Sequence, residues 1–351
     1  MDFRLTDDQR ALVRGIRDVL GRRFGPEVLR AAVDAAVDGC GVAGGGGGGG
    51  GAALDRGLWR ELGAAGFFAL RLPEDAGGVG LGLPEAVLLF EEAGRALLPG
   101  PLVATHLAAG RVPGAAEGAV VVTRAAGGLV EWRDAADVVL GDARDGEAVP
   151  IRSVDPLTPL HRLPGGGAGR GGERGEAYAG DGYGSVDGYG SVDGYGCGDE
   201  YGHGDEPGAE ETRAREASLL SAAEQLGSAG RTTALAVAHA RVREQFGQPI
   251  GAFQAVKQMC AHMLVRTEVA RAAVYAAAVT ADPVEIAGAR LLADEAAVEC
   301  ARDCLQVHGG MGFTWEAEVH LHLKRAWVRA ARPGGGAAAE EAVAASLPGT
   351  F

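Results

Sequence analysis

Between residues 211 and 331 the chain consists of four long alanine-rich segments joined by connections of only a few residues. The first runs from Glu211 to about Glu244, with Leu219, Leu220, Leu226 and Val237 among its alanines. The second spans Ala252 to Thr280 and closes on Asp282-Pro283. The third spans Val284 to Val307 and stops at His308-Gly309-Gly310, and the fourth runs from Trp315 to Ala331. Segments of this length are helices, and short connections make consecutive helices antiparallel neighbours. An antiparallel four-helix bundle is therefore predicted. Only 5% of the chain is aromatic, so its core must be built mainly from Ala, Leu and Val. A weaker helical pattern, Ala337 to Leu347, closes the chain.

The junction of the first two segments, RVREQFGQPIGAFQAVK from Arg241 to Lys257, carries more than a turn requires. Arg243 stands three residues before Phe246-Gly247, Pro249 and Gly251 interrupt the helix, and Gln254 opens the next one. An arginine, an aromatic, a glycine turn and a primary amide at this spacing suit a turn that offers donors to a phosphate or a heteroaromatic ring. An ordinary helix hairpin with a tight Gly/Pro turn gives the same spacing. Taken alone, the stretch leaves both readings open.

The first hundred residues read as an N-terminal helical domain, residues 1–100. Thr6 and Gln9 form a capping-box pattern with Asp7 and Asp8 in the first turn. Leu12, Val13, Ile16, Val19 and Leu20 then follow the helical period. After Val33 the pattern gives way to Ala and Gly, and glycines fill positions 44 to 51 without a break. That run matches GxGxxG trivially. With no strand before it, it reads as a linker or surface loop and not as a dinucleotide loop. Two more helical patterns, Leu54 to Leu70 and Pro84 to Leu98, flank the turn PEDAGGVGLG at 73–82. Short β-branched runs at 119–123, 138–140 and 149–154 then predict a small, shortened antiparallel β-domain over residues 101–163. Residues 164–210 are acidic and rich in Gly, Tyr and Asp, with GYGSVD repeating at Gly182 and Gly188. So few apolar groups cannot build a core, and a disordered insertion is expected there. Residues 211–351 make up the C-terminal bundle.

The net charge of −14 resides mostly in that insertion, where eleven acidic residues face two basic ones between Arg170 and Glu211. An acidic balance argues against nucleic acid as a partner. No apolar run approaches the length of a membrane span, and a cytoplasmic protein is expected. The five cysteines have no metal or redox spacing; Cys300 and Cys304, one helical turn apart, read as two reduced, packed thiols. His320 and His322 are two apart on a predicted helix and so point to different faces, and no metal site is predicted.

Three stretches together resemble the acyl-CoA dehydrogenase family: PEDAGGVGLG at 73–82, RVREQFGQPIGAFQAVK at 241–257 and QVHGGMGFTWE at 306–316. The order of helical domain, small β-domain and four-helix bundle agrees with them. The resemblance implies a mainly α fold, FAD bound at a subunit interface, and α,β-dehydrogenation of an acyl-CoA thioester. It assigns Arg243 to the FAD pyrophosphate, Phe246 and Gly247 to the lining of the cofactor, and Gln254 to a donor role. Gln306, Gly309 and Gly310 would hold the adenosine-pyrophosphate half from the other subunit of a pair. A planar guanidinium suits a pyrophosphate, and glycines let the backbone approach closely.

The departures from the family fall on the chemistry. Removing a proton α to a thioester carbonyl needs a carboxylate base. The family places that glutamate in one of two positions. Counted without gaps from Gly309, one falls on Pro333; counted back from Phe246, the other falls on Ala217. Glu216 is one residue off, a rotation of about 100° around a helix, and Glu340 and Glu341 would need a sizeable gap. The family's Thr/Ser segments that touch the flavin and the substrate are not recognisable between Pro101 and Arg162. The resemblance therefore implies a subunit that lacks its own base. It would complete the FAD site of a homologous catalytic subunit in a heterotetramer, with the acyl-CoA bound mainly by that partner. A competent homo-oligomer with a displaced base and a flavin-free helical assembly module are the alternatives.

Overall fold

Thr6 closes the expected capping box, its hydroxyl accepting from the Gln9 amide at 3.1 Å while the Gln9 side chain accepts from the Thr6 amide at 3.0 Å. This opens α1 (Asp7–Arg23) in the computed structural model, which describes residues 5–41, 53–141, 148–163 and 208–347. The glycine run at 44–51 and all of the acidic insertion before residue 208 lie outside the described residues. A second helix, α2 (Pro26–Gly41), continues where the sequence pattern fades into Ala and Gly. Leu29, Val33 and Ala36 bury its inner face. Next come α3 (Arg56–Ala64), capped by the Asp55 carboxylate, and α4 (Leu83–Arg95). Both end earlier than their hydrophobic patterns: Gly66 turns at φ 80° after α3, and Leu97 at φ 56° after α4. A further short helix, α5 (Leu102–Ala108), occupies the start of the stretch expected to be β.

The middle sheet holds β1 (Val122–Ala126), β2 (Leu129–Glu131), β3 (Val138–Gly141), β4 (Val149–Ile151) and β5 (Leu160–Arg162) in the spatial order 3-1-2-5-4. The expected antiparallel arrangement holds for three of its four pairings. The exception is β1 with β3, which run parallel from Val122 opposite Val138. The reason is topological. β5 takes the free edge of β2, so β3 must cross to the outer edge of β1. The crossing turn is anchored by Trp132, 1% exposed, and by Asp137, whose carboxylate accepts from the Val121 amide at 2.7 Å.

The C-terminal helices are α6 (Ala209–Val242), α7 (Gln254–Thr280), α8 (Pro283–His308), α9 (Val319–Ala330) and α10 (Ala337–Ala345). α9 starts later than Trp315 because a 3-10 turn, Gly309–Phe313, follows α8. Cys300 and Cys304 are free and buried in this bundle, and burial pushes the Cys304 thiol up to about 12. Among the described residues no helix is long and apolar enough to cross a membrane.

Two glycines set how closely the N-terminal helices meet the bundle. A Cβ on Gly94 of α4 would overlap the Glu224 carbonyl of α6, and a Cβ on Gly227 of α6 would overlap the Glu91 carbonyl of α4. Each helix backbone occupies the space where the other's side chain would stand. We expect Gly227→Ala to destabilise the chain by about 1–3 kcal/mol, the usual penalty of overpacking, as measured by chemical denaturation. The same change at Gly288, where a Cβ meets nothing within 4 Å, should be neutral or stabilising in that assay, since Ala is the better helix former.

Candidate functional site

The Arg241–Lys257 junction folds as a two-residue hairpin. β6 (Glu244–Gln245) pairs antiparallel with β7 (Gln248–Pro249), leaving Phe246 and Gly247 as the turn. Their φ values of 54° and 78° are the pair that a tight primed turn requires. Glycine adopts this conformation freely, but a phenylalanine there is strained by its Cβ. The turn carries the Phe246 ring outward, 92% exposed, with its edge toward Phe253 at 6.0 Å between centroids. Internal packing gives no reason for this arrangement.

Arg243 ends α6. Its amide donates to the His239 carbonyl at 2.9 Å, and its own carbonyl accepts from the Ile250 amide at 2.7 Å. Its side chain is exposed. Gln254 is the first residue of α7, also exposed, one residue after a cap position that supplies no side-chain hydrogen bond. The first amides of that helix have no side-chain cap, and with the positive end of the helix dipole they are the features that suit an anion at a helix N-terminus.

The second motif lies at the same end of the bundle. His308, in the last turn of α8, stacks on His239 of α6 with ring centroids 4.2 Å apart and planes 22° from parallel. The stack ties the QxxGG turn to the end of α6. Gln306, Gly309 and Gly310 are all exposed. Gly309 caps α8 at φ 59°, so its backbone demands glycine. Gly310 has no such demand, and a Cβ there would meet nothing within 4 Å in this chain. A bare backbone facing outward fits close approach by a ligand or another chain. The seven residues assigned to the cofactor are thus gathered on one exposed end of the bundle. Further along α7, Leu264, Val265 and Val269 are each about half exposed or more, and Phe313 projects 71% exposed.

The two positions to which the resemblance assigns a base also come together. Ser218, next to Ala217, donates its hydroxyl to the carbonyl of Gly334, next to Pro333, at 3.1 Å. Neither Ala217 nor Pro333 can accept a proton, and the surrounding carboxylates are held by arginines. Glu216 accepts from Arg71 at 2.6 Å. Glu131 of β2 takes both its oxygens to Arg332 at 2.7 Å each. Glu224 bridges Arg332 and Arg329, both at 2.9 Å. Burial pushes the Glu224 carboxyl up, but Arg329, Arg332 and Arg325 outweigh it and hold the group below its ordinary range. Side chains are sterically excluded as well: a Cβ on Gly335 would come within 2.8 Å of the Ala330 carbonyl and 2.9 Å of Arg290. Glu340 and Glu341 sit exposed on α10.

Sequence spacing alone does not announce this ion network, whose partners lie far apart along the chain. Its arginine side is present in the spacing of Arg325 and Arg329, which places two guanidiniums on one face of α9, with Arg332 just past its end. The two histidines of α9 also separate: His322 is buried against Ser228 at 2.6 Å, while His320 stands edge-on to Trp315 at 5.0 Å.

A helical domain, a small sheet and a helical bundle, with the 241–257 and 306–316 stretches meeting at one end of that bundle, define a class of fold. Solved structures share it over nearly the whole chain. They include the ChsE4–ChsE5 complex from Mycobacterium tuberculosis, with a TM-score of 0.72, 22% identity and coverage of 99% of this chain and 100% of the other. Butyryl-CoA dehydrogenase from Megasphaera elsdenii also has a TM-score of 0.72, at 18% identity over 99% and 100% of the two chains. The sequence carries the assignment further. Residues 6–113 match the acyl-CoA dehydrogenase N-terminal domain, and residues 212–341 match its C-terminal domain. The acyl-CoA dehydrogenase IpdE2 of Mycobacterium tuberculosis is 32% identical over 91% of both chains. The chain belongs to the acyl-CoA dehydrogenase family.

Proposed function

We propose that this chain is the non-catalytic half of a two-subunit acyl-CoA dehydrogenase, completing an FAD site whose base belongs to a homologous partner. The observation that carries the reading is the meeting of Ala217 and Pro333. Two positions counted independently along the sequence converge in space, and neither holds a carboxylate. The nearby glutamates are already committed to Arg71, Arg329 and Arg332. A base must exchange its proton near neutral pH, and arginine pairing works against this by stabilising the anion.

The residues present fit the flavin dinucleotide on their own chemistry. Arg243 is an exposed fork for a pyrophosphate, Gln254 offers an amide at a helix start, and Gly309 and Gly310 leave bare backbone. Phe246 and Gly247 present a ring and a turn at the same end, and Gln306 adds a second amide. When bound, FAD accepts the hydride of the dehydrogenation. This chain's residues bind and orient the cofactor and shield it from water. The apolar face of α7 and the ring of Phe313 form the surface on which the partner seats, since apolar residues clustered on an exposed helix face mark an interaction site. ChsE4–ChsE5 offers a precedent for a two-chain complex on this fold.

Purified alone, the chain should bleach no flavin with any acyl-CoA. Co-expressed with a homologous subunit that carries the glutamate, it should elute as one complex, retain flavin and turn over. Turnover by the isolated chain that disappears in Glu216→Gln would establish a competent homo-oligomer with a displaced base and overturn the proposal.

A further inference from the structure

A cavity of about 180 Å³ opens between α1, α2, α4, α6 and α9. Its polar wall holds Arg17, Arg95 and Arg231 with Glu92 and Glu318. Arg17 forks Glu92 through Nε and Nη2, and Arg231 reaches Glu318 through Nε and Nη2. Each of these two arginines keeps Nη1 outside its ion pair. The side chain of Arg95, in the last turn of α4, forms no hydrogen bond or ion pair among the described residues. Burial lowers its affinity for its proton, an effect the neighbouring Arg17 and Arg231 reinforce, while Glu92 and Glu91 oppose it. His322, also on this wall, is held neutral by burial and by the surrounding arginines. Three guanidiniums against two carboxylates on this wall therefore leave one positive charge in excess, and it belongs to a half-buried arginine whose side chain has no hydrogen-bond or ion-pair partner among the described residues. A buried charge without a partner is expensive, so such a group is an incomplete half of an interaction.

The other wall is apolar. Leu20 and Phe24 of α1, Leu29 of α2 and Leu97 after α4 line it, each under a tenth exposed. An apolar cavity of about 150 Å³ takes one benzene-sized molecule, and this one is slightly larger.

We propose that this cavity is a binding site for a small organic monocarboxylate, its apolar body against Leu20, Phe24 and Leu29 and its carboxylate on Arg95. The planar guanidinium matches a carboxylate, and the single excess charge selects a monoanion over a phosphate dianion. The site shares no residue with the proposed flavin end or with the Ala217–Pro333 meeting point. It stands whether or not the chain is a non-catalytic subunit.

The test is calorimetric titration of the full chain with benzoate, and with benzamide as the uncharged molecule of the same shape. Benzoate should bind saturably with one site per chain, and about tenfold or more tighter than benzamide, the margin of a charge-assisted hydrogen bond. Arg95→Met, which keeps the apolar stem, should bring benzoate down to the benzamide level. Gly21→Leu should abolish both, because Gly21 lines the cavity and a Cβ there meets nothing within 4 Å, which leaves room for a longer side chain to occupy it. That variant removes a glycine from a helix and should melt no lower than the natural chain, so lost binding would not be lost folding. Absence of saturable heat from benzoate, equal binding by Arg95→Met, or binding that survives Gly21→Leu would each overturn the assignment.

Discussion

Glu224→Gln is expected to destabilise the chain by about 3–5 kcal/mol, the penalty of stranding a buried charge by removing its partner. Glu224 is 2% exposed and Arg329 is 1% exposed, so solvent screens neither. The glutamine keeps the shape of the side chain but leaves Arg329 with no carboxylate and Arg332 with only Glu131. The cluster is balanced as it stands. Arg290 pairs with Asp294 at 2.8 Å, Arg325 pairs with Asp155, and Arg329 and Arg332 share Glu224 and Glu131. Urea denaturation of the single variant measures the loss. A Glu224→Leu, Arg329→Met double variant should recover much of it, because apolar groups of similar volume replace a buried ion pair at little cost. If the double variant were less stable than Glu224→Gln, stranded charge would not be the cause. The sign with pH follows from the depressed carboxyl. Its contribution is complete above the ordinary glutamate value of 4.5 and is lost as pH falls through the lower value it has in the folded chain. The difference between natural and Gln chains should therefore shrink on acidification.

The same cluster shows what the sequence could and could not disclose. The long helices are legible because their signals are local: the Thr6 capping box, the Asp282-Pro283 start of α8 and the glycine that ends it all lie within a few residues of the boundary they set. α2 was hard to read because Ala and Gly carry no period, although Leu29, Val33 and Ala36 bury a face. β2 and β5 are three residues each, too short for alternation to register, and β2 supplies the Glu131 that anchors Arg332. The cofactor motifs were legible as residue types at a spacing, but their shared exposure at one end of the bundle, and the strain at Phe246, required the fold. The arginine stripe from 325 to 332 was visible in the sequence. Its partners Asp155 and Glu131 lie some 170 and 201 residues away along the chain, and nothing local marks such distances.

Arg243→Met in the co-expressed complex should weaken FAD binding by about 10- to 100-fold, the factor that corresponds to losing one or two charge-assisted hydrogen bonds. The fold uses the backbone of this residue, which accepts from Ile250 and donates to His239. Its side chain is exposed and forms no hydrogen bond or ion pair among the described residues. Methionine keeps the aliphatic stem and helix propensity, so stability should stay within about 0.5 kcal/mol, as for a surface change away from any special feature. Stability and cofactor affinity are thereby separated, and that separation gives the experiment its force. Fluorescence titration of the flavin-stripped complex with FAD reads the affinity, and Arg241→Met serves as the neighbouring charge control. An Arg243→Met complex that binds FAD as tightly as the natural one, with Arg241→Met indistinguishable from it, would remove this arginine from the cofactor site. The exposed turn at Phe246 would then read as a partner contact alone. Loss confined to Arg243→Met, with the complex intact by gel filtration, would place the guanidinium on the cofactor and not on the partner's surface.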